Sequence, residues 1–376
     1  VIDLPSGEQH VTPELIVPIG NHLTQGAQLQ SNWDLAKNNT LIAGVDVWSR
    51  KITTERTKYI RVDVLDDAGT IIKTNNMVRG ETPIPESTFG STGIFIQDET
   101  QLFNEKLRLI VGGRMDLIQV RNATGYDIDY LEVNGVMNET PPNQRITFEE
   151  GEEHNISWSA NAGLVQKLSE DTDLSFTLSR SFRAASLEER FKYIDLGNFV
   201  RLGDPELQPE RAYSADLGLR IWKSRFKLQA DAFVNSISNM IVETPGEFIY
   251  TINTGPSEGT TDTIPALINA NVSKAMLYGF DFGMQYNVWS RLVVYASGAY
   301  VRGLDTEADA NLPMIPPLSG RMGLRYSFPR ILSAEFTAIA AGKQDKIAEG
   351  ESETDGYARF DLAMSSAPIE LGPTEL

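Results

Sequence analysis

The sequence predicts an all-β fold, an antiparallel transmembrane β-barrel with short turns at one rim and long loops at the other. Apolar and polar residues alternate in about thirteen segments, and this period of two places each set of side chains on one face of a strand. Short and long connections succeed each other, as in outer-membrane barrels, where the short turns are periplasmic and the long loops extracellular. Helical periodicity is missing from every long window.

The predicted strands follow one another in pairs, and a tight turn closes most pairs. Lys37-Asn38-Asn39 closes the first pair, Trp289-Ser290 a later one, and Pro329-Arg330 another. The connections between pairs are long, as in the stretch 183–210. In chain order, the predicted strands are 27–36, 40–50, 91–102, 107–121, 155–167, 173–182, 211–223, 225–242, 273–288, 291–303, 319–328, 331–342 and 356–366.

Each predicted strand has an apolar face and a polar face. Between 276 and 286, the even-numbered residues are Met, Tyr or Phe, and the odd-numbered ones include two glycines and an aspartate. Arg108, Arg114 and Lys227 alternate with apolar residues in the same way. An Arg or Lys on the lipid face costs about 2–4 kcal/mol at the bilayer midplane, so these charges are expected in a wet lumen. The alternative is a soluble antiparallel sheet, which needs a covering layer that the sequence does not supply.

Aromatic residues occupy the ends of many predicted strands. A membrane barrel places such residues in girdles at its two interfaces, because one end of a Trp or Tyr ring is apolar and the other is polar. The residues expected in the girdles are Trp48, Trp158, Tyr213, Trp222, Tyr286, Trp289, Tyr326, Phe328 and Tyr357.

Composition narrows the class of protein. The 376 residues include no cysteine and carry a formal net charge of −18. A chain without cysteine has no disulfide and no thiolate metal site. The negative charge argues against nucleic acid as a partner, because phosphate binding needs a dense basic surface. No apolar run reaches the roughly 18 residues of a membrane-spanning helix, and a barrel leaves no such run.

Nothing in the sequence predicts an active site. The three histidines, His10, His22 and His154, lie far apart, and metalloprotease, nucleophile-elbow and P-loop motifs are missing. We therefore expect no catalysis, no cofactor and no metal site. The acidic stretches 63–67 and 349–353 have the oxygen ligands that Ca²⁺ prefers, but these stretches and His154 are predicted to be solvated loops.

The segment between two of the strands carries the most specific pattern. Residues 181–211 have the sequence SFRAASLEERFKYIDLGNFVRLGDPELQPER, which resembles the FRAP…GNPxLxPE signature of TonB-dependent outer-membrane receptors. Further segments resemble strands of the same family in the same order. They are NTLIAGVDVW at 39–48, TGIFIQDETQLFNEKLRLIVGGRMD at 92–116, DAFVNSISNMI at 231–241, NVSKAMLYGFD at 271–281, LPMIPPLSGRMGL at 312–324 and GYARFDL at 356–362.

The resemblance implies both an architecture and a function. Residues 1–376 would supply about thirteen strands of a 22-stranded receptor barrel, with the N-terminal plug domain and the C-terminal strands absent from this chain. Such a receptor lies in the outer membrane and imports a scarce nutrient, such as a ferric siderophore, haem, cobalamin or another metal complex, with TonB-derived energy. Its implied partners are the periplasmic TonB complex, reached through the plug, the lipid bilayer with its lipopolysaccharide, and a small-molecule substrate.

The loop at 183–211 offers the candidate ligand contacts. Cations and aromatic rings together suit an anionic, aromatic ligand, which they hold by charge-assisted hydrogen bonds and stacking. An equally weighted alternative is that the Arg–Glu pairs stiffen the loop and make no contact with a ligand. A passive porin-like channel and, less favoured, an adhesin are the alternative functions. The candidate contacts are Arg183, Glu188, Arg190, Phe191, Tyr193, Phe199 and Arg201.

Overall fold

Residues 9–329, 332–366, 370–371 and 374–375 are described by the structure, a computed structural model, and their regular structure is almost entirely β-strand. The first strands are β1 Gln9–Ala36, β2 Asn39–Leu65, β3 Ile71–Glu81, β4 Ser87–Leu102, β5 Leu107–Asn122, β6 Gly125–Tyr126, β7 Tyr130–Val133, β8 Val136–Asn138, β9 Arg145–Phe148, β10 Gly151–Ser169 and β11 Thr172–Arg183. Helix α1, Leu187–Phe191, follows. The remaining strands are β12 Tyr193–Asp195, β13 Val200–Leu202, β14 Glu210–Trp222, β15 Phe226–Ile252, β16 Thr261–Trp289, β17 Leu292–Asp305, β18 Ala310–Asn311, β19 Ser319–Ser327, β20 Leu332–Ala341, β21 Tyr357–Ser366, β22 Glu370–Leu371 and β23 Thr374–Glu375.

Thirteen long strands form one antiparallel meander, which confirms the predicted fold. Each strand pairs with the next, in the order β1, β2, β4, β5, β10, β11, β14, β15, β16, β17, β19, β20 and β21. Within the described residues, β1 pairs with β2 alone and β21 with β20 alone. Arg330 of the predicted turn and Ile331, which opens the predicted strand 331–342, lie outside the described residues.

Four strands extend far beyond their predicted limits at the long-loop rim. β1, β2, β15 and β16 contain 28, 27, 27 and 29 residues. A β-strand crosses a bilayer in about 9–11 residues, so the far halves of these strands stand clear of the lipid. Both of their faces meet water or loops there, and the apolar alternation that reveals a half-buried strand is therefore not required. These extensions were therefore not predicted.

Strand register confirms the predicted outer and inner faces. Ile156 of β10 pairs with Leu117 of β5, and the two apolar side chains are 69% and 50% exposed, as a lipid-facing wall requires. On the opposite face, Arg114 lies between two aspartates. Its Nη2 is 2.9 Å from Asp46 Oδ1 and its Nε is 2.8 Å from Asp116 Oδ2. The predicted luminal charges therefore neutralise one another across three neighbouring strands.

Three of the predicted girdle residues face the lumen instead. Trp48 stacks on Phe89 with ring centroids 5.1 Å apart. The Trp222 ring lies 5.2 Å from Lys227 Nζ, and Tyr357 lines a luminal hollow beside β17 and β19. The girdle prediction was wrong for these residues because position at a strand end fixes the height of a side chain, whereas strand register fixes its face.

Two of the predicted solvated loops also need correction. Asp63 belongs to β2, is 4% exposed, and accepts a hydrogen bond of 2.6 Å from Thr74 Oγ1. His154 belongs to β10, where its exposed ring lies 2.9 Å from Glu152 Oε1. The stretch 349–353 is a mostly exposed loop, as predicted. The acidic residues at 63–67 suggested a solvated loop, but pairing of β2 with β3 buries Asp63.

The apolar core lies at the long-loop end of the barrel. Ile52, Phe89, Ile118 and Val120 contribute to it from the barrel wall, and the long loops supply the rest. Burial of apolar side chains is the main favourable term in folding, so this cluster orders loops that the sequence alone suggests are open. No helix among the described residues is long and apolar enough to cross a membrane.

Candidate functional site

The mouth loop, residues 184–209 between β11 and β14, folds back into the open end of the barrel. Ser186 and Glu189 start helix α1 with a capping box: Ser186 Oγ accepts from Glu189 N at 3.1 Å, and Glu189 Oε2 accepts from Ser186 N at 2.8 Å. One turn apart on the same helix face, Leu187 and Phe191 are each 1% exposed. The Phe191 ring meets Phe148 edge-on, with centroids 5.8 Å apart. The helix therefore acts as a packing anchor.

Arg190 of helix α1 holds the second half of the mouth loop in place through hydrogen bonds. It is 5% exposed, and its two terminal nitrogens donate to the carbonyl oxygens of Pro205 and Leu207, the latter at 2.7 Å. Gly203 N donates to Lys192 O at 2.7 Å, in the same turn. Charge-assisted hydrogen bonds of this kind are roughly twice as strong as neutral ones. The GDPEL part of the signature is thus held as a fixed turn by a buried arginine.

The wall of the barrel anchors the same loop at two further points. β13 pairs in parallel with the extension of β16, from Val200 and Ala266 onward. Nearby, Gln208 N donates to Asn271 Oδ1 at 2.6 Å, and Asn271 Nδ2 donates back to Gln208 O at 2.9 Å. These contacts join the loop to a strand more than sixty positions away, which is why local sequence patterns do not reveal them.

Six of the seven predicted ligand contacts lie in the mouth loop and Arg183 is the last residue of β11, but most of the seven side chains make contacts within the fold. Arg190, Phe191 and Tyr193 are buried. Arg183 bonds Glu189 and Glu210, with its Nε 2.7 Å from Glu210 Oε2, and Glu188 pairs with Arg50. Phe199 is half-buried, whereas Arg201 is exposed with its Nε 3.7 Å from Glu243 Oε2. Direct ligand contact by any of the seven remains a prediction.

A cavity of about 360 Å³ lies on the lumen side, directly under helix α1. Its wall combines the stacked rings of Trp48 and Phe89 with the guanidinium groups of Arg50 and Arg114. Aromatic faces and guanidinium groups at one surface suit anionic or aromatic ligand groups. Trp48, Arg50 and Phe89 were not predicted as site residues. The spacing of Trp48 and Arg50 places them on one strand face. Only the folded barrel brings that face together with the neighbouring strands and the mouth loop.

A buried ionic cluster ties the neighbouring loops to the mouth loop. Glu81 Oε1 forms ion pairs with Lys58 Nζ at 2.9 Å and with Arg79 Nε at 2.8 Å, and Glu81 Oε2 accepts a hydrogen bond of 2.5 Å from Arg56 Nε. Arg79 also reaches Asp195 of the mouth loop at 3.7 Å. A buried carboxylate is stable when several cations surround it, so this cluster fixes the positions of β2, β3 and the mouth loop together. Among the described residues, no three His, Cys, Asp or Glu side chains come together as a metal site requires.

Tyr193 makes the stability of the mouth loop sensitive to alkaline pH. Its side chain is 2% exposed and its hydroxyl lies 3.5 Å from Arg145 Nη1. Burial, aided by the nearby Asp127 carboxylate, raises the pKa of Tyr193 from 10.0 to about 12. The folded pKa is the higher one, so the stabilisation is complete below the unfolded pKa and is lost as pH rises through the folded pKa.

We therefore expect the mouth loop to lose about 2–3 kcal/mol of stability between roughly pH 10 and pH 12. Quenching of the fluorescence of buried aromatic residues, recorded across this pH range, reports opening of the loop and so measures the lost stability. Tyr193→Phe should be less stable at neutral pH but should lack the alkaline transition. An unchanged transition in that variant would assign the effect to another group.

Comparison with known proteins identifies the fold. A sequence model described as TonB-dependent receptor-like β-barrel matches residues 11–368. No curated protein sequence matches the chain at a significant level. Among solved structures, the copper transporter OprC has a TM-score of 0.68 at 20% identity, and the match covers 93% of this chain and 49% of OprC.

Two further structures give the same result. The siderophore receptor PiuA from Acinetobacter baumannii has a TM-score of 0.57 at 14% identity, covering 95% of this chain and 50% of PiuA. The ferric citrate transporter FecA, in its unliganded form, has a TM-score of 0.59 at 13% identity, covering 95% of this chain and 48% of FecA. At these identities the likeness shows the fold. The chain spans about half the length of each of these structures.

Proposed function

Because this chain belongs to the TonB-dependent receptor β-barrel family, we propose that it forms part of an outer-membrane importer. Barrels of this family lie in the outer membrane of Gram-negative bacteria, and so does this chain. The proposed importer binds a scarce nutrient, a ferric siderophore, haem, cobalamin or another metal complex, at its extracellular loops. It moves the nutrient inward with energy from the TonB complex, and no covalent bond of the nutrient is changed.

The observation that carries this proposal is the folded mouth loop above a cavity lined by aromatic rings and guanidinium groups. A loop fixed by a capped helix, a buried arginine and a parallel strand pairing pays little ordering entropy when a ligand docks, which favours affinity. Arg201 near the mouth and Arg50 and Arg114 in the cavity place guanidinium groups along one route from the mouth into the lumen, each beside a carboxylate. Guanidinium groups bind anionic oxygens through paired N–H donors, so an anionic metal complex that displaces these carboxylates suits the route.

The length of the structural relatives supports a second part of the proposal. The full protein would include a plug domain and further strands that complete a 22-stranded barrel. The edges of β1 and β21 would then be paired, because unpaired backbone groups are not tolerated in hydrocarbon. The TonB complex would act on the plug from the periplasm. A full-length protein extracted from outer membranes with a mass near 41.7 kDa would contradict this part.

Transport in whole cells separates the proposed importer from the other candidates. Uptake of radiolabelled ferric siderophores and other metal complexes is measured with and without an uncoupler of the proton-motive force. An importer should lose uptake when the uncoupler is added, whereas a passive porin should keep it. An adhesin should give no uptake under either condition. Uncoupler-resistant uptake therefore overturns the proposal.

The exposed hairpin of the mouth loop gives a direct test of ligand contact. We expect Arg201→Ala to weaken binding of an anionic metal complex by roughly tenfold to a hundredfold, the usual value of a hydrogen bond to a charged group. Phe199→Ala should have a smaller effect through lost stacking. Equilibrium binding to whole cells at low temperature measures both, without the transport step.

A matched control removes an exposed arginine at the opposite rim. Arg225 lies in the short turn between β14 and β15, and Arg225→Ala makes the same change of charge there. It should leave the affinity unchanged. Equal losses in Arg201→Ala and Arg225→Ala would mean that overall charge, rather than contact at the mouth, sets the affinity.

A further inference from the structure

Two arginines lie side by side on the outer wall of the barrel. Arg180 of β11 is the direct cross-strand partner of Tyr213 of β14, and Arg211 lies two residues beyond Tyr213 on the same face. Residues in this diagonal relationship are about 7–8 Å apart, within reach of one shared ligand group. Towards the short turns, the same face of the two strands is apolar, apart from Thr172 at the start of β11. The apolar side chains are Leu174, Phe176, Leu178, Ala215, Leu217, Leu219 and Ile221.

Strand length places the two arginines at the outer edge of the apolar band. A transmembrane β-strand crosses the hydrocarbon in about 9–11 residues. Counted from its start at Thr172, β11 reaches Arg180 after this length. Counted back from Trp222, β14 reaches Tyr213 after this length, and Arg211 lies two residues further out. The pair therefore lies at the level of the polar head groups of the outer leaflet.

Arg180 is held against the wall by aromatic rings. Its guanidinium carbon lies 3.6 Å from the centroid of the Trp158 ring and 5.9 Å from that of Tyr213. Its Nε donates to Tyr213 Oη at 3.3 Å, and its Nη1 donates to the carbonyl oxygen of Trp158. This arrangement leaves Nη2, with two further donors, free of any hydrogen bond to a described residue. The guanidinium group is thus held against the barrel wall and does not extend freely into water.

Neither arginine has a carboxylate partner in the part of the chain that the structure describes. Arg183 of β11 differs in this respect, since it bonds both Glu189 and Glu210 on the inner face. The chain has 51 acidic and 33 basic residues, so two adjacent unpaired arginines are not explained by a general excess of positive charge. Guanidinium groups bind phosphate through paired N–H donors, and basic groups at a membrane interface attract anionic lipid head groups.

We propose that Arg180 and Arg211 together bind a phosphate group of the phosphorylated glycolipid of the outer leaflet, the lipid A portion of lipopolysaccharide. Nη2 of Arg180 and the exposed guanidinium of Arg211 contact the phosphate oxygens from two sides. The rings of Trp158 and Tyr213 lie against the sugar and the upper ends of the acyl chains. This site is separate from the ligand route, because the two arginines are on the lipid face and the route is on the lumen side.

The test measures lipid A bound to the full-length protein in lipid nanodiscs. Lipid A carrying both phosphates is compared with lipid A from which the phosphates have been removed, by native mass spectrometry of the released complexes. We expect the phosphorylated form to bind on the order of tenfold more tightly, since each basic group near a membrane surface contributes appreciably to binding of an anionic lipid. Equal binding of the two forms by the unaltered protein overturns the proposal without any variant.

The double variant Arg180→Gln, Arg211→Gln identifies the residues. It should lose most of the preference for the phosphorylated form, whereas Arg220→Gln, the same change on the lumen side of β14, should keep it. Resistance of the folded barrel to mild detergent in gel electrophoresis shows that each variant is folded. A double variant that keeps the full preference, or a matching loss in Arg220→Gln, overturns the assignment to this pair.

Discussion

Replacing Gly203 by alanine is expected to release the mouth loop from the barrel while leaving the meander intact. A Cβ atom at this position would lie 2.5 Å from the carbonyl oxygen of Arg190 and 2.7 Å from that of Glu189. Both are backbone atoms, so neither a side-chain rotation nor a small shift relieves the clash. The new atom pushes the GDPEL turn away from helix α1 and separates Arg190 from the carbonyl groups of Pro205 and Leu207.

We expect a loss of about 3 kcal/mol in the local stability of the loop, at the upper end of ordinary overpacking. Amide hydrogen exchange at residues 187–207 should then accelerate by roughly a hundredfold, with little change in the barrel strands. Gly283→Ala is the control, because a Cβ there meets nothing within 4 Å. Exchange rates in Gly203→Ala equal to those in Gly283→Ala would contradict the close approach.

Phe191→Ala is expected to produce the second large effect. The ring is 1% exposed and packs edge-on against Phe148 inside the apolar cluster. Truncation of a buried Phe to Ala costs about 3–5 kcal/mol, because transfer energy is lost and a cavity remains. The loop should open in a larger fraction of molecules, and ligand binding at the mouth should weaken with it.

Phe191→Leu separates packing from ligand contact at the same position. Leucine keeps most of the buried volume, and such exchanges usually cost under about 1.5 kcal/mol. If the ring only packs, Phe191→Leu should keep both loop protection in hydrogen exchange and ligand affinity. A variant with normal loop protection and lost affinity would instead make Phe191 a direct ligand contact, as the sequence analysis predicted.

The barrel could be predicted from the sequence because its signals are local. Lipid requires an apolar side chain at every second position, so the alternation in strands such as β5 and β16 predicts both the strand and its lipid-facing side. Arg114 and Lys227 were assigned to the lumen on the same ground. Trp48 shows the limit of this reasoning, because its place at a predicted strand end suggested a girdle although the register turns it inward to stack on Phe89.

The candidate site required contacts between residues distant in sequence. The signature around Arg190 and Gly203 indicated a family, but its physical role as a buried clamp depends on carbonyl groups that only the folded turn brings together. Glu81 likewise finds its three cations on two strands.

The sequence by itself thus determined the number of long strands, their antiparallel order and the lipid-facing side, because contact with hydrocarbon imposes a period of two on each strand separately. The tertiary structure alone decided how the mouth is filled. Loops above the membrane are free of that constraint, and their packing depends on which apolar and charged groups the closed meander brings within reach. The folded loop above the luminal cavity and the arginine pair on the outer wall both arise at this level.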